Sequence, residues 1–158
     1  MLKLNTPCPI APYVPHAEGM CLLDQVLEFN SDHLYAEVCP RGDDLFATTQ
    51  GIPGWVGLEW MAQAVAAWAG VQAVQAGEPP AVGFLLGSRR YQTHVDHFAL
   101  HVPLRIEVFL DFRADNGLGA FRGQVLDQQG EVLASATLNV YQPNSAEALT
   151  ALSNGEMP

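Results

Sequence analysis

The sequence predicts an α+β domain in which a curved antiparallel sheet of about six strands wraps around one long central helix. Two patterns predict this fold: a long segment that is apolar on nearly all sides, and later segments in which apolar and polar residues alternate. The chain has 158 residues, of which 49% are hydrophobic and 15% charged, as is typical of one packed globular domain. We expect residues 1–143 to form that domain and residues 144–158 to be a mobile tail.

The central helix is predicted from Trp55 to about Ala76. This segment contains no proline and is rich in Ala, Leu, Met, Gln and Glu, which suits a helix of roughly 30 Å. Pro53 stands where a helix can begin, because its fixed φ and missing N–H cost nothing there. The "GEPP" of residues 77–80 then ends the helix. A helix that is apolar all round must be enclosed by other elements.

Strands are predicted on both sides of that helix. Before it, "CLLDQVLEF" and "HLYAEVCP" form a hairpin around the turn "NSD" at 30–32, and "RGDDLFATTQGIPG" is a loop. After it, four strand-like segments lie within residues 82–95, 102–114, 118–128 and 131–142. The turn signals Asn-Gly at 116–117 and Gln-Gly at 129–130 separate the last three segments and predict that they form hairpins.

Charge and composition exclude several classes of function. Seven Lys and Arg against 17 Asp and Glu give a net charge of −10, which disfavours nucleic acid and anionic membrane surfaces as partners. The N-terminus is broken by prolines and lacks an export signal, so we expect a cytoplasmic protein. Three cysteines without metal-ligand spacing argue against a disulfide framework and a zinc site. We expect no metal and no membrane span.

Glu59 is the one carboxylate in the most apolar part of the predicted helix. An unpaired carboxylate there would cost several kcal/mol in desolvation or take up a proton. A structural role is open, in which Glu59 caps the helix or pairs with Gln63 at the next position on the same face. A chemical role is also open, because a glycine N–H at a helix start, here Gly54, can hold a carbonyl oxygen. Large apolar side chains beside it, Trp55 first among them, would then line an acyl site.

The residues around Glu59 resemble a known family. The run "PGWVGLEWMAQ", from Pro53 to Gln63, resembles the "PG-x-x-x-x-[DE]-x-x-x-Q" pattern of hotdog-fold 3-hydroxyacyl-carrier-protein dehydratases of the FabA/FabZ type. Upstream, "VPHAEGMCLLDQVLEF" is similar to the family's N-terminal motif, and "GLGAFRGQVLDQQGEVLASATL" to its last hairpin. The "FLLGSRRY" strand resembles most the ApeP-like dehydratases of aryl-polyene biosynthesis.

The resemblance implies a hotdog fold, a dimer whose two sheets join edge to edge, and a reaction without a cofactor. In the family a histidine and an acid remove water from a 3-hydroxyacyl thioester to give a trans-2-enoyl thioester. A glycine N–H polarises the thioester carbonyl, a base takes the C2 proton, and an acid protonates the leaving C3 hydroxyl. By position, Gly54 takes the N–H role and Glu59 the acidic role. Pro53, Trp55 and Gln63 are expected to bind substrate beside them.

The family histidine does not carry over, because its position is Leu45 in this chain. Two interpretations remain: another histidine replaces it, or a partner subunit supplies the chemistry. His16 is the catalytic candidate, because it follows a proline in the segment that resembles the family's N-terminal motif. His33 falls in a predicted turn, where we expect it to be solvated. His94, His97 and His101 have spacing that invites a metal, but they match a loop of the family and lack a second ligand cluster.

Arg89 and Arg90 hold two of the seven cations, on the strand after the helix. Acyl carrier proteins are acidic and present a 4'-phosphopantetheine thioester, so we expect this pair to dock the carrier; ordinary pairing with Glu or Asp is the alternative. The leading function is a 3-hydroxyacyl-ACP dehydratase, or its dehydratase-like subunit, as a homodimer or a heterodimer with another hotdog dehydratase. Two other classes stay open: a hotdog thioesterase in which Glu59 activates water or attacks the carbonyl, and a noncatalytic partner.

Overall fold

The computed structural model describes residues 4–15, 18–79 and 84–141 of the chain and shows one long helix packed against an antiparallel sheet. Two short 3₁₀ helices, Ala11–Tyr13 and Glu18–Met20, lie in the N-terminal segment. The other elements, in chain order, are β1 Cys8–Pro9, β2 Gln25–Phe29, β3 His33–Val38, β4 Ile52–Pro53, α1 Val56–Gln75, β5 Phe84–Thr93, β6 His97–Phe98, β7 Leu104–Arg113, β8 Leu118–Leu126 and β9 Val132–Tyr141. The predicted α+β class is confirmed.

The main sheet has seven strands in the order β1-β2-β3-β7-β8-β9-β5, each antiparallel to its neighbours. Its six longer strands are the predicted ones, and the two-residue β1 extends one edge. At the other edge, β5 pairs on one side only within the described part of the chain. The sequence did not predict β4 and β6, which form a separate two-stranded ladder with Ile52 opposite Phe98 and Pro53 opposite His97. This small ladder holds the start of α1.

Helix α1 begins and ends within one residue of the prediction, and it is enclosed as its composition requires. One side packs on the sheet, where the sulfur of Met61 would lie 2.9 Å from a Cβ added to Gly123 of β8. The opposite side is covered by the N-terminal segment, because Gly70 has no side chain and the Tyr13 carbonyl rests against it. Twelve of its residues are buried, and all but Gln63 are apolar.

One expectation about a polar residue of the sheet needs correction. His33 is not solvated as expected: it begins β3, is half-buried, and its Nε2 lies 2.7 Å from Oε2 of Glu28. It also closes the predicted turn, because its carbonyl accepts the Asn30 N–H at 3.0 Å and its N–H donates to Asn30 Oδ1 at 2.9 Å.

Glu107 lies on β7 between the fully buried Ile106 and Val108 and is itself only 8% exposed. Its carboxylate accepts a hydrogen bond of 2.7 Å from Gln124 Nε2 on β8, which offsets the cost of its burial.

No helix in the described ranges has the length and apolar character that a membrane span requires. The tail predicted at 144–158 and the catalytic candidate His16 lie outside the described residues.

Candidate active site at the start of the central helix

Glu59 lies in the first turns of α1 and is half-buried. Its Oε1 lies 3.2 Å from Nε2 of Gln63, one turn further along the helix. The pairing expected from a structural role is therefore present. The Glu59 carboxylate stays near the surface in this contact, at the N-terminal end of the helix, where the macrodipole favours negative charge.

Gln63 is 1% exposed and uses both ends of its amide. Besides contacting Glu59, its Nε2 donates to the carbonyl of Met20 at 2.8 Å, and its Oε1 accepts the N–H of Leu22 at 2.8 Å. Gln63 therefore ties the N-terminal segment to the helix and orients the Glu59 carboxylate. The predicted contact of Gln63 with substrate stays a prediction, and these bonds assign the side chain a second, structural task.

The Pro53-Gly54 turn is held by the small β4–β6 ladder. The Gly54 N–H donates to the Asp96 carbonyl at 2.8 Å. A Cβ on this residue would lie 2.6 Å from the Val95 carbonyl oxygen, so only glycine fits against that loop. The role of Gly54 as the donor to a thioester oxygen stays a prediction, and its N–H is engaged by the protein itself in this structure.

Trp55 precedes α1 and is 57% exposed, with its ring 4.9 Å from that of Phe46 in an edge-to-face contact. Leu45, at the position predicted for the family's histidine, is 52% exposed. It lines an open groove of about 470 Å³ between two stretches of chain, residues 19–22 and 41–45. The sequence did not predict this groove, because it forms between segments that are distant along the chain.

Tyr91 is a site residue that sequence reasoning missed. It lies on β5 and is half-buried, and its hydroxyl donates a hydrogen bond to the carbonyl of Gly54. Burial raises the pKa of Tyr91, and a hydrogen bond with the backbone of Leu58 opposes that rise. The only sequence signal was its place in the "FLLGSRRY" strand.

The described histidines are spread over the molecule. His33 pairs with Glu28 on the outer face of the sheet. His94 and His101 are exposed, whereas His97 is half-buried on β6, directly opposite Pro53. Within residues 4–15, 18–79 and 84–141, no group of three or more His, Cys, Asp and Glu side chains is arranged to hold a metal. His97 is the described histidine that the ladder brings next to the start of α1.

Arg89 and Arg90 are exposed on β5, where the pairing with β9 shifts register. Arg90 has a φ of 57°, a left-handed conformation that costs a non-glycine residue roughly 1 to 2 kcal/mol. In the described part of the chain, neither side chain lies within ion-pair distance of a carboxylate. Three other arginines among the described residues do pair with a carboxylate: Arg41 with Asp24 at 3.5 Å, Arg105 with Glu107 at 3.3 Å and Arg122 with Asp111 at 2.7 Å.

Comparison with known proteins identifies one family and several structures that share the fold. A family model described as "ApeP-like: ApeP dehydratase" matches residues 8–151. The solved dehydratase heterocomplex ApeI:P from Xenorhabdus doucetiae contains a chain 31% identical to this one, covering 92% of this chain and 97% of that one, with a TM-score of 0.82. No protein with a curated description matches the chain significantly.

More distant likenesses concern the fold alone. AziG from S. sahachiroi is 13% identical, with 75% of this chain and 90% of that one covered and a TM-score of 0.59. A hypothetical thioesterase from Streptococcus pneumoniae, solved with coenzyme A, is 11% identical, with 74% and 83% covered and a TM-score of 0.59. Together with the observed topology, these likenesses confirm the predicted hotdog fold.

Proposed function

We propose, since the chain belongs to the ApeP-like dehydratase family, that it is the acid-bearing subunit of a heteromeric 3-hydroxyacyl-ACP dehydratase. Glu59 would act on a substrate whose C2 proton is taken by a histidine of a second hotdog subunit. The product is a trans-2-enoyl thioester of fatty-acid-like or aryl-polyene synthesis. The reaction moves only protons and water, so no cofactor is invoked.

One observation carries this proposal: the acid of the family's pattern is present as Glu59, and the position predicted for the family's histidine is Leu45. Glu59 stands at the family's acid position in the first turns of α1, whereas the family's histidine position is the exposed side chain of Leu45. Leucine cannot exchange a proton, so a complete acid–base pair needs a group from elsewhere. A second hotdog subunit supplies such a group at the groove beside Leu45.

The sheet offers a place for that second subunit. Strand β5 is a ten-residue edge, whereas the opposite edge strand β1 has two residues. An exposed edge strand presents unpaired N–H and C=O groups that another sheet can continue. The likeness to a chain of a solved dehydratase heterocomplex supports a different hotdog dehydratase, rather than a second copy, as the partner.

The carrier protein would dock at Arg89 and Arg90. Both are exposed and without a carboxylate partner among the described residues, on a chain whose net charge is −10. The strained backbone of Arg90 favours a functional reason for its geometry. A phosphopantetheine phosphate and an acidic carrier surface are the complementary charges. By the sequence argument above, we also propose that this encounter takes place in the cytoplasm.

The test is an assay of water loss from a 3-hydroxyacyl carrier protein by mass spectrometry. We expect the chain alone to be inactive, and to support turnover when a histidine-bearing hotdog dehydratase is added. Glu59→Gln should then abolish the part of the activity that depends on this chain. Turnover by the chain alone that is lost in His16→Ala or His97→Ala would instead identify a self-sufficient enzyme with a replaced histidine.

The same assay separates the other classes. Release of free acid and thiol in place of an enoyl thioester would identify a thioesterase. Full activity of the Glu59→Gln complex would identify a noncatalytic partner that only stabilises the other subunit.

A further inference from the structure

A side-chain hydroxyl is inserted at the start of α1. The Gly54 carbonyl and the Leu58 N–H stand four residues apart there, but Gly54 precedes the N-cap Trp55 and lies outside the helix. Here the Tyr91 hydroxyl donates to that carbonyl and also hydrogen-bonds the backbone of Leu58. The Leu58 N–H lies 3.3 Å from the Trp55 carbonyl, as in a tighter 3₁₀ turn. Tyr91 therefore bridges the residue before the helix and the first turn, and the Gly54 carbonyl also accepts the N–H of Gly57 at 3.3 Å.

The sequence leaves room for this insertion at Gly57. A Cβ there would lie 2.5 Å from the Tyr91 hydroxyl oxygen and 3.3 Å from the ring of Phe98. Any larger residue would push the hydroxyl away from the helix. Because burial raises the pKa of Tyr91 above its ordinary value, the hydroxyl keeps its proton at neutral pH and remains a donor.

The insertion fixes the direction of one backbone N–H. The Gly54–Trp55 peptide is planar, so its C=O and its N–H point in opposite directions. Holding the carbonyl with Tyr91 therefore orients the Trp55 N–H. No described residue accepts a hydrogen bond from this N–H, whereas the N–H of Gly54 is donated to Asp96. The helix start thus presents one oriented donor, a single turn before Glu59.

We propose that Tyr91 is a positioning residue of the dehydratase site, and that the N–H it orients, that of Trp55 rather than that of Gly54, binds the thioester carbonyl oxygen. This inference rests on the proposed function. When the C2 proton passes to the base, negative charge develops on that oxygen, and a fixed donor stabilises it. The C3–O bond then breaks, and the hydroxyl leaves as water with a proton from the acid. The Tyr91 hydrogen bond also polarises the peptide, which strengthens the N–H as a donor.

A matched pair of variants isolates the backbone N–H. Trp55→Ala and Trp55→Pro both remove the indole, but only proline removes the N–H. Trp55 has a φ of −67°, which proline adopts without strain. In the complex with the histidine-bearing partner, we expect kcat of the proline variant to be roughly 10- to 100-fold below that of the alanine variant. Equal kcat values in the two variants would overturn the assignment of the N–H.

A second pair tests Tyr91 itself. Tyr91→Phe should lower kcat about 10-fold with little change in KM, because the lost interaction strengthens only in the transition state. Its control is Tyr35→Phe, since Tyr35 lies on the outer sheet face beside His33, away from the helix start. Isotope-edited infrared spectra of a bound enoyl thioester add a reading that does not depend on turnover. The carbonyl band should shift back towards its free frequency in Tyr91→Phe and stay at the wild-type position in Tyr35→Phe.

The outcomes distinguish this inference from the proposed function. Wild-type kcat and an unshifted carbonyl band in Tyr91→Phe would overturn the inference while leaving the function intact. A wild-type complex without dehydratase activity, or full activity of Glu59→Gln, would overturn the proposed function instead. If Tyr91→Phe fails to assemble, the Trp55→Pro and Trp55→Ala spectra decide, and identical carbonyl bands in the two would refute the role of the N–H.

Discussion

The two halves of helix α1 have similar composition and different surroundings. In the second half, Trp68 is 3% exposed, and its Nε1 and the Nε2 of Gln72 both donate to the Asn30 carbonyl, at 3.2 and 2.8 Å. In the first half, Gln63 holds a carboxylate as well as two backbone groups. The polar groups of the second half thus serve the fold, whereas those of the first half also hold a group that can do chemistry.

The difference also concerns how the helix is closed at each end. At its C-terminal end the N–H of Ala76 and that of Gly77 bond back to carbonyls of the last turn, in an ordinary way. At its start, Tyr91 of β5 donates a hydrogen bond to the Gly54 carbonyl just before the helix, and Trp55 is 57% exposed. The candidate site thus lies at an irregular and partly exposed helix start, in a helix that is otherwise built for burial.

The largest expected effect distinguishes two glutamates at opposite ends of the helix. Glu59→Gln should lower kcat of the complex about 100-fold or more, because it removes the acid but keeps the shape. Glu78→Gln, just beyond the helix and exposed, should leave kcat unchanged. The measurement is single-turnover loss of water by mass spectrometry, with complex formation checked by size-exclusion chromatography. Equal activity of the two variants would remove the chemical distinction between the helix ends.

The two glutamines separate the same regions by stability. Gln63→Leu leaves the Met20 carbonyl and the Leu22 N–H without their partner, so we expect the free energy of unfolding to fall by about 2 to 4 kcal/mol. Gln72→Leu removes a single hydrogen bond, which is more exposed than those of Gln63, and should lower the free energy of unfolding by about 1 kcal/mol or less. Urea denaturation measures both. An equal loss in the two variants would mean that Gln63 does not hold the N-terminal segment.

For the tryptophans, the larger loss of stability is expected in the second half of the helix, the reverse of the order expected for the glutamines. Trp68→Phe removes buried volume and the bond to Asn30, so unfolding should become easier by about 1 to 3 kcal/mol while kcat stays unchanged. Trp55→Phe changes a half-solvated ring and should shift the free energy of unfolding by no more than about 0.5 kcal/mol. Thermal and urea unfolding, with kcat on the same samples, check this. A destabilised Trp55→Phe would contradict the exposed helix start.

The smallest effect concerns the two arginines of β5, the strand that also carries Tyr91 to the helix start. Arg89→Ala and Arg90→Ala should each raise KM for a carrier-bound substrate by about 3- to 10-fold, and less so at high salt. KM for a small pantetheine thioester should not change. Arg90→Lys is the control that keeps the charge. Equal effects on carrier-bound and small substrates would place the arginines outside carrier docking.

The sequence predicted those parts of the molecule whose signals are local. Proline and glycine at 53 and 77–80 bounded α1 to within one residue, and period-two alternation located the six longer strands. The motif from Pro53 to Gln63 then indicated the family and the position of Glu59. Residue identity at fixed spacing sufficed for these predictions because each depends on neighbours along the chain.

The rest depends on contacts between distant segments. The ladder of β4 and β6 contains two residues on each side, which is too short for a periodic pattern. The engagement of the Gly54 N–H by Asp96 uses a backbone carbonyl, which any residue carries. The insertion of Tyr91 needs both a shift in β5 and the absence of a side chain at Gly57. Such arrangements follow from tertiary packing, which the sequence shows only after the fold is known.

The most direct test of the central claim is to place a histidine at position 45, where the family's histidine is predicted to stand and this chain has Leu45. Purified Leu45→His and wild-type chains, each without a partner, are incubated with a 3-hydroxyacyl carrier protein, and loss of water is followed by mass spectrometry. We predict no turnover by the wild-type chain and measurable turnover by Leu45→His, which is lost again when Glu59→Gln is added. Turnover by the wild-type chain alone would contradict the account, because the chain would then already contain its own proton acceptor.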